Sequence, residues 1–171
     1  MIIKSKIFVL RHFKNGDEKS LQKNINDKDI YRYTLRIPYP YTLKDAKKFM
    51  TGYLKSAKKR DRKSYSFAID MKGEVIGGIG FDPIEGHKAE IGYWLSKKHW
   101  NMGIMTEAVR LVTKFGFIKL KLKRITAHVF SKNRASALVL EKNNYRLEGL
   151  LRKHIYKDKR LVDAYLYAKI R

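Results

Sequence analysis

The sequence predicts an α+β domain on a mixed sheet, with the element order βααβββαβαββ. Three observations carry that prediction. Residues 88–95, KAEIGYWL, alternate between two faces and lead through the loop WNMGIM into an amphipathic helix. Residues 124–143, RITAHVFSKNRASALVLEKN, read as a second strand followed by a helix. Two hairpins flank these units, one over 64–81 around Met71-Lys72-Gly73, the other over 145–170 around Lys157-Asp158-Lys159.

In chain order, residues 6–13, KIFVLRHF, predict a first strand with Ile7 and Val9 on one face. Asp17 to Ser20 open a short helix through Leu21 and Ile25. Pro38 and Pro40 forbid helix between there and Thr42. Thr42, with Asp45 three residues on, caps a helix whose apolar stripe is Leu43, Ala46, Phe49, Met50 and Tyr53. KRDRK, residues 59–63, is a polar turn before the first hairpin, and Pro83 and Gly86 bound the loop after it. Strand 88–95 puts Ala89, Ile91, Tyr93 and Leu95 on one face, Glu90, Gly92 and Trp94 on the other. The next helix carries Ala108, Leu111, Phe115, Ile118 and Leu122 at steps of three and four. Strand 124–130 turns Ile125, Ala127 and Val129 inward. The helix over 134–143 ends at Asn143-Asn144, residues that tolerate the left-handed stop.

A chain of 171 residues that is 44% apolar suits one globular domain. No apolar run approaches the roughly 20 residues of a membrane span, and the first residues lack the features of a signal peptide, so the expected location is cytoplasmic. There are 39 Lys and Arg against 16 Asp and Glu, a net charge of +23. The lysines are spread through nearly every segment, which favours a solvated surface; weak nucleic-acid or ribosome association is the alternative. The chain has no cysteine. That excludes disulfides, thiolate metal sites and a cysteine nucleophile.

The loop before the central helix raises a chemical expectation. A helix start leaves backbone N–H groups unpaired and carries partial positive charge, so it stabilises an anion without basic side chains. Gly103 lets the backbone approach such a ligand closely.

Taken in order, AEIGYWL, WNMGIMTEA, RITAHVFSKNRASALVLEKNNYRLEG and VDAYLYAKIR resemble the GCN5-related N-acetyltransferases (GNAT), in particular the branch typified by ribosomal-protein N-terminal acetyltransferases. PYPYTLKDAKKF, near the start, resembles that branch too, so the likeness runs essentially the full length. It implies the GNAT fold over residues 1–171, a mostly antiparallel mixed sheet with a splayed strand pair and flanking helices. It also implies acetyl-CoA as co-substrate. By resemblance, backbone groups of Trp94, Leu95 and Ser96 bond the pantetheine arm. The loop of Asn101, Met102, Gly103, Ile104, Met105 and Thr106 wraps the pyrophosphate with its N–H groups. Asn133 and Ser136 face the pantetheine and the thioester end, and Lys142 meets the nucleotide. Trp100, Asn101, Met102 and Met105 depart from the family's usual loop. Met105 fits if its side chain points inward while its N–H faces phosphate.

Amine acetylation needs a neutral amine, a route for its proton and support for the thioester oxyanion. Glu90 is the candidate base, acting through a water; the other reading is an exposed strand glutamate or one paired to lysine. A backbone N–H near Leu95 is the expected oxyanion donor. Ser136 or Tyr145 could protonate the leaving thiolate, though Tyr145 could equally be structural. Asn133 could simply cap its helix, and Glu107 complements the helix dipole. His12, His87, His99, His128 and His154 show no ligand spacing, so no metal is expected; His128 reads as sheet surface. Tyr31, Tyr33, Tyr39 and Tyr41 either line an acceptor groove or pack in core and loops.

The function expected is acetyl transfer from acetyl-CoA to a primary amine, foremost a protein N-terminal α-amine such as a ribosomal one, by direct attack in a ternary complex. The alternatives are a small-molecule amine acetyltransferase, or a non-catalytic CoA-binding or RNA- or ribosome-associated protein. A monomer or a homodimer is expected.

Overall fold

The computed structural model describes residues 2–57 and 63–171; most of the expected KRDRK turn therefore lies outside the described residues. The strands are β1 (Ile2–Lys4), β2 (Val9–Arg11), β3 (Tyr65–Met71), β4 (Glu74–Glu85), β5 (Lys88–Leu95), β6 (Arg124–Phe130), β7 (Arg146–Lys157) and β8 (Arg160–Ile170). The helices are α1 (Glu18–Ile25), α2 (Lys28–Arg32), α3 (Leu43–Ala57), α4 (Ile104–Ile118) and α5 (Arg134–Glu141). One sheet holds all eight strands in the order β1-β2-β3-β4-β5-β6-β8-β7. Every neighbouring pair is antiparallel except β5 and β6. This is the mixed, mostly antiparallel sheet that the resemblance implied.

Parallel neighbours require a crossover, and α4 supplies it. It lies on one face of the sheet, where Ile104, Met105, Ala108, Val109, Val112 and Phe115 pack with Phe67, Phe81, Ile91 and Ile125. On the other face α1, α2 and α3 bring Leu21, Ile25, Ile30, Ala46 and Met50 against Ala68 and Val75, with Trp94 packed beside them. A smaller apolar cluster of Phe130, Ile155 and Ala164 closes against Tyr33.

Several expectations need correction. The first strand is shorter than predicted: Ser5 N–H donates to the Phe8 carbonyl in a turn between β1 and β2. Phe8 and Leu10 face the main core, whereas Ile7 is exposed. Arg11 and Phe13, on the other side of this segment, are buried too, because both faces of the sheet are covered. α2 went unpredicted; it is a single turn, started by Asp27, whose carboxylate accepts from the N–H groups of Asp29 and Ile30. β4 continues through Pro83, which sits at a register shift where a strand can accommodate proline. In α4, Ile118 is exposed and Leu122 lies beyond the helix end, and the buried face is broader than one stripe. The sheet on one side and Tyr145 on the other cover more of the helix than an edge helix exposes to a core.

A buried ionic network ties β2 to both α1 and β3. Arg11 donates from Nε to Asp70 at 2.7 Å and from both terminal nitrogens to Asp17 at 2.7 and 2.8 Å. All three residues are buried, and the hydrogen bond to Asp17 is the chief cause holding the Arg11 pKa above its ordinary value. Asp17 was expected only to open a helix; its side chain makes no cap and serves Arg11 instead. Removing the guanidinium leaves two carboxylates without their buried partner. Arg11→Ala should therefore lower unfolding free energy by about 3–5 kcal/mol in urea denaturation. A loss below about 1 kcal/mol would show that water reaches this network freely.

Candidate active site

The parallel ladder is short. β5 and β6 pair only at Lys88 with Arg124, Ala89 with Ile125 and Glu90 with Thr126. Beyond Glu90 the two strands part, although β5 runs on to Leu95 and β6 to Phe130. The register shift in β4 between Phe81 and Ile84 lies beside this same point: Phe81 pairs with Ile91 and Ile84 with Ala89, so two β4 residues stand opposite Glu90. A bulge bends and overtwists its strand, and β5 follows β4 away from β6.

Strand alternation decides which backbone groups enter the gap. Ser96 N–H donates to the Ile76 carbonyl at 2.8 Å. Bonded and non-bonded pairs alternate along an antiparallel ladder. Gly92 and Trp94, opposite Gly80 and Gly78, therefore bond toward β4, while Tyr93 and Leu95 turn their backbone groups toward the gap. The Leu95 carbonyl accepts the Trp100 indole N–H at 2.8 Å, which leaves its N–H facing the opening. Of the three positions expected to bond pantetheine, Leu95 thus presents an amide there, and Trp94 and Ser96 spend theirs on β4.

The gap opens beside the start of α4. Gly103 is the N-cap, in the left-handed region at φ 74°, and Asn101 has φ 62°. Glu107 N–H makes the first helical bond, to Gly103. Among the described residues no acceptor takes the amide of Asn101, Met102, Gly103, Ile104, Met105 or Thr106. The side chains sort by need: Ile104 and Met105 are buried in the core, and Asn101, Met102 and Gly103 are exposed. Glu107 does more than complement the dipole, since both its oxygens pair with Arg110 at 2.7 Å and that pairing lowers its pKa.

α5 abuts the same opening. Tyr93 OH lies 2.9 Å from Ser136 Oγ, so β5 is tied to α5 where it is not tied to β6. Burial keeps the Tyr93 phenol protonated far above its usual range. Asn133 caps α5, its Oδ1 accepting from Ser136 N–H at 3.2 Å. Tyr145 is buried, with its hydroxyl 2.8 Å from Thr113 Oγ1 on α4, and burial raises its pKa as well. Lys142 is exposed at the α5 C-cap. Asn144 alone takes the left-handed stop, at φ 59°. Asn143 is instead a buried clamp whose amide donates to the Thr106 carbonyl at 3.0 Å and the Val139 carbonyl at 2.8 Å, holding the first turn of α4 to α5.

On the opposite face, toward α1–α3, Glu90 Oε1 lies 3.1 Å from His128 Nδ1. The Glu90 partner is thus histidine, not lysine. His128 also stacks on His154, ring centroids 5.0 Å apart. The hydrogen bond to Glu90 raises the His128 pKa above the ordinary 6.5. Stability from this pair is fully present below about 6.5 and is lost as pH rises through the raised value. Next to Glu90 on this face, Gly92 is exposed, and a Cβ there would meet nothing within 4 Å. The tyrosines divide: Tyr41 is core, Tyr33 stacks edge-on to Phe130, and Tyr31 bonds Asp158 and packs near Tyr39. Lys157 Nζ lies 3.6 Å above the Tyr31 ring and donates to the Thr34 carbonyl, so the β7–β8 turn is fastened to the segment after α2. Among the described residues no cluster of three or more His, Asp or Glu could hold a metal, and no helix is long and apolar enough to cross a membrane.

Tyr93, Asn143 and His128 were not assigned to the site from sequence. Tyr93 was legible as an inward strand residue but not as a hydrogen-bonding one. The His128 contact with Glu90 arises only once β5 and β6 lie side by side.

Residues 8–146 match the family described as Acetyltransferase (GNAT) domain. The probable N-acetyltransferase YjcK of Bacillus subtilis is 34% identical over 160 residues, covering 90% of this chain and 88% of YjcK. The uncharacterized N-acetyltransferase p20 of Bacillus licheniformis is 38% identical over 63% of this chain, and the match spans 61% of p20. The ribosomal-protein-serine acetyltransferase of Escherichia coli is 33% identical over 61% of this chain and 59% of its own length. Among solved structures, a GNAT-family acetyltransferase from Bacillus anthracis superposes with a TM-score of 0.86 at 29% identity, covering 99% of this chain and 98% of that one. RimL, a ribosomal-protein α-N-acetyltransferase solved with coenzyme A, has the same fold: TM-score 0.89, 23% identity, 99% and 98% coverage. With its splayed parallel pair and unbonded helix start, the chain belongs to the GNAT family of acetyl-CoA-dependent N-acetyltransferases.

Proposed function

We propose that the protein acetylates the α-amine at the N-terminus of a protein, by direct attack on acetyl-CoA in a ternary complex. The observation that carries this reading is the placement of two different sites on either side of one break in the sheet. The gap and the unbonded amides of residues 101–106 form one site. The open surface over Gly92, with Glu90 beside it, forms the other.

On the donor side, the amides of Asn101 to Thr106 would hold the pyrophosphate, and the Leu95 N–H the thioester oxygen. Tyr93 and Leu95 would bond the pantetheine arm along the gap, with Asn133 and Ser136 at its thioester end and Lys142 toward the nucleotide. The amides of Asn101 to Thr106 fit such a ligand because no acceptor takes them among the described residues, and the backbone of Tyr93 and Leu95 because β6 does not pair with it. Acetyl-CoA supplies an acyl group activated as a thioester. Ser136, backed by the Tyr93 hydroxyl, is the donor of a proton to the departing thiolate; the Tyr145 hydroxyl is engaged by Thr113. On the acceptor side Glu90 is the base.

The α-amine is favoured over a lysine side chain by its basicity. An α-amine has an ordinary pKa of roughly 8 and a lysine roughly 10.4, so a weak base can free the first far more easily. A protein N-terminus is favoured by the similarity to the E. coli ribosomal-protein-serine acetyltransferase. The net charge of +23 opposes a polycationic acceptor such as a polyamine.

The deciding experiment is an acetylation screen of peptides with different N-terminal residues beside a panel of small amines. Turnover of peptides with free N-termini, abolished by blocking the α-amine, is expected. Turnover confined to small amines would end the proposal for the acceptor. Glu90→Gln should lower kcat by roughly 10²–10⁴-fold at neutral pH with little effect on acetyl-CoA affinity. Gly103→Val forces a β-branched residue into the left-handed region, where even alanine costs about 1–2 kcal/mol. It should weaken acetyl-CoA binding by about tenfold or more in titration calorimetry, equivalent to at least ~1.4 kcal/mol.

A further inference from the structure

We propose that His128 stores the proton that Glu90 takes from the acceptor amine and releases it to solvent on the side of His154. The inference rests on the acceptor chemistry just described and adds a part to it. His128 contacts neither acceptor nor thioester; it is a positioning residue that acts through Glu90.

The need comes from the amine. At neutral pH an α-amine is largely ammonium and must lose one proton before it attacks. A solitary glutamate, with an ordinary pKa of about 4.3, is a poor receiver from a group at roughly 8. The geometry provides a better receiver. Glu90 Oε1 and His128 Nδ1 are 3.1 Å apart, on adjacent strands; Glu90 belongs to the last pair before the strands separate, with Thr126, and His128 lies two residues further along β6. One oxygen of Glu90 is thus engaged by the imidazole and the other is left for the amine or an intervening water. The charged and titratable groups facing the His128 ring are Glu90 from β5 and His154 from β7. Glu90 is half-open and His154 is exposed, so the ring spans a path from the strand break to water. The raised pKa of His128 agrees with this arrangement.

The balance of the reaction fixes where each proton goes. The ammonium gives one proton to Glu90, and it comes to rest on His128. The neutral nitrogen then forms its bond to the acetyl carbon as the carbon–sulfur bond breaks. The second proton lost from nitrogen ends on the departing sulfur, passed by Ser136. His128 afterwards loses the stored proton to water, so one proton is released per amide formed.

The test is the pH profile of kcat/KM for wild type and His128→Gln, a neutral side chain able to keep a hydrogen bond to Glu90. Wild-type kcat/KM should rise through an apparent pKa above about 6.5. His128→Gln should lose roughly 10²-fold at pH 7 and regain most of it above pH ~9, where the amine is already neutral. Its acetyl-CoA affinity by calorimetry should be unchanged, which shows the variant is folded. A loss that is equal at every pH, or no loss at all, would overturn the proposal. The acceptor is whichever amine the screen identifies, and the pH at which His128→Gln recovers then moves with that amine's own pKa, so failure of the peptide assignment shifts the recovery without removing it. A second measurement needs no acceptor: NMR titration of the imidazole nitrogens should place His128 above the ordinary value, and Glu90→Gln should lower it. A His128 titration indifferent to Glu90→Gln would refute the relay.

Discussion

The whole site depends on β5 and β6 ceasing to pair after Glu90. The cause lies one strand away. β4 carries an extra residue opposite Glu90, around Pro83, and a bulge turns its partner strand with it. Because β5 and β6 run parallel, the segments that follow them leave the sheet at the same end. The loop into α4 and the turn into α5 are thus brought together at the mouth of the gap, one presenting free amides, the other an Asn-capped first turn. An antiparallel pair would have sent these segments to opposite ends. Asn143 then fixes the distance between the two helices by holding the Thr106 carbonyl.

An opening in the middle of a sheet leaves backbone polar groups without ladder partners, an arrangement that is costly where water cannot reach. Here the cost is limited by side chains that replace the missing strand. The Trp100 indole satisfies the Leu95 carbonyl, and the Tyr93 hydroxyl reaches Ser136 on α5. The groups left over are donors at the mouth, where a polyphosphate would find them. The rest of the molecule supplies rigidity: two apolar cores on the two faces of the sheet and the buried Arg11 network beyond β3.

What the sequence disclosed follows the range of the forces involved. β5, the loop and the start of α4 were legible because alternation, a loop glycine and helical periodicity are local signals. That the sheet is mixed, mostly antiparallel and splayed at one pair was legible through resemblance. Features set by distant partners were not. Phe8 and Leu10 join one core and Phe13 the other because helices cover both faces of the sheet, which nothing in KIFVLRHF announces. Pro83 looked like a loop boundary because only the register with β5 makes it a bulge. Asp17 looked like a helix cap because Arg11 competes for it through space. His128 looked like sheet surface, and by exposure it partly is; its contact with Glu90 links strands whose pairing no local pattern encodes.

The absence of cysteine restricts the chemistry to what such a sheet break can offer. With no thiol, the enzyme cannot carry the acetyl group as its own thioester, which agrees with the direct attack proposed above. The protein then has three tasks: polarising a carbonyl, removing a proton from nitrogen, and delivering one to sulfur. Alternation along β5 assigns them to different sides. Odd-numbered Tyr93 and Leu95 direct backbone groups into the gap, and the Tyr93 side chain points toward α5. Even-numbered Glu90 and Gly92 point toward the opposite face, one as a carboxylate and the other as bare backbone. A one-residue slip of β5 would exchange these sets, placing the carboxylate in the apolar core and a tyrosine on the open face at Gly92. The register of β5 against β4 therefore fixes the fold and the chemistry together.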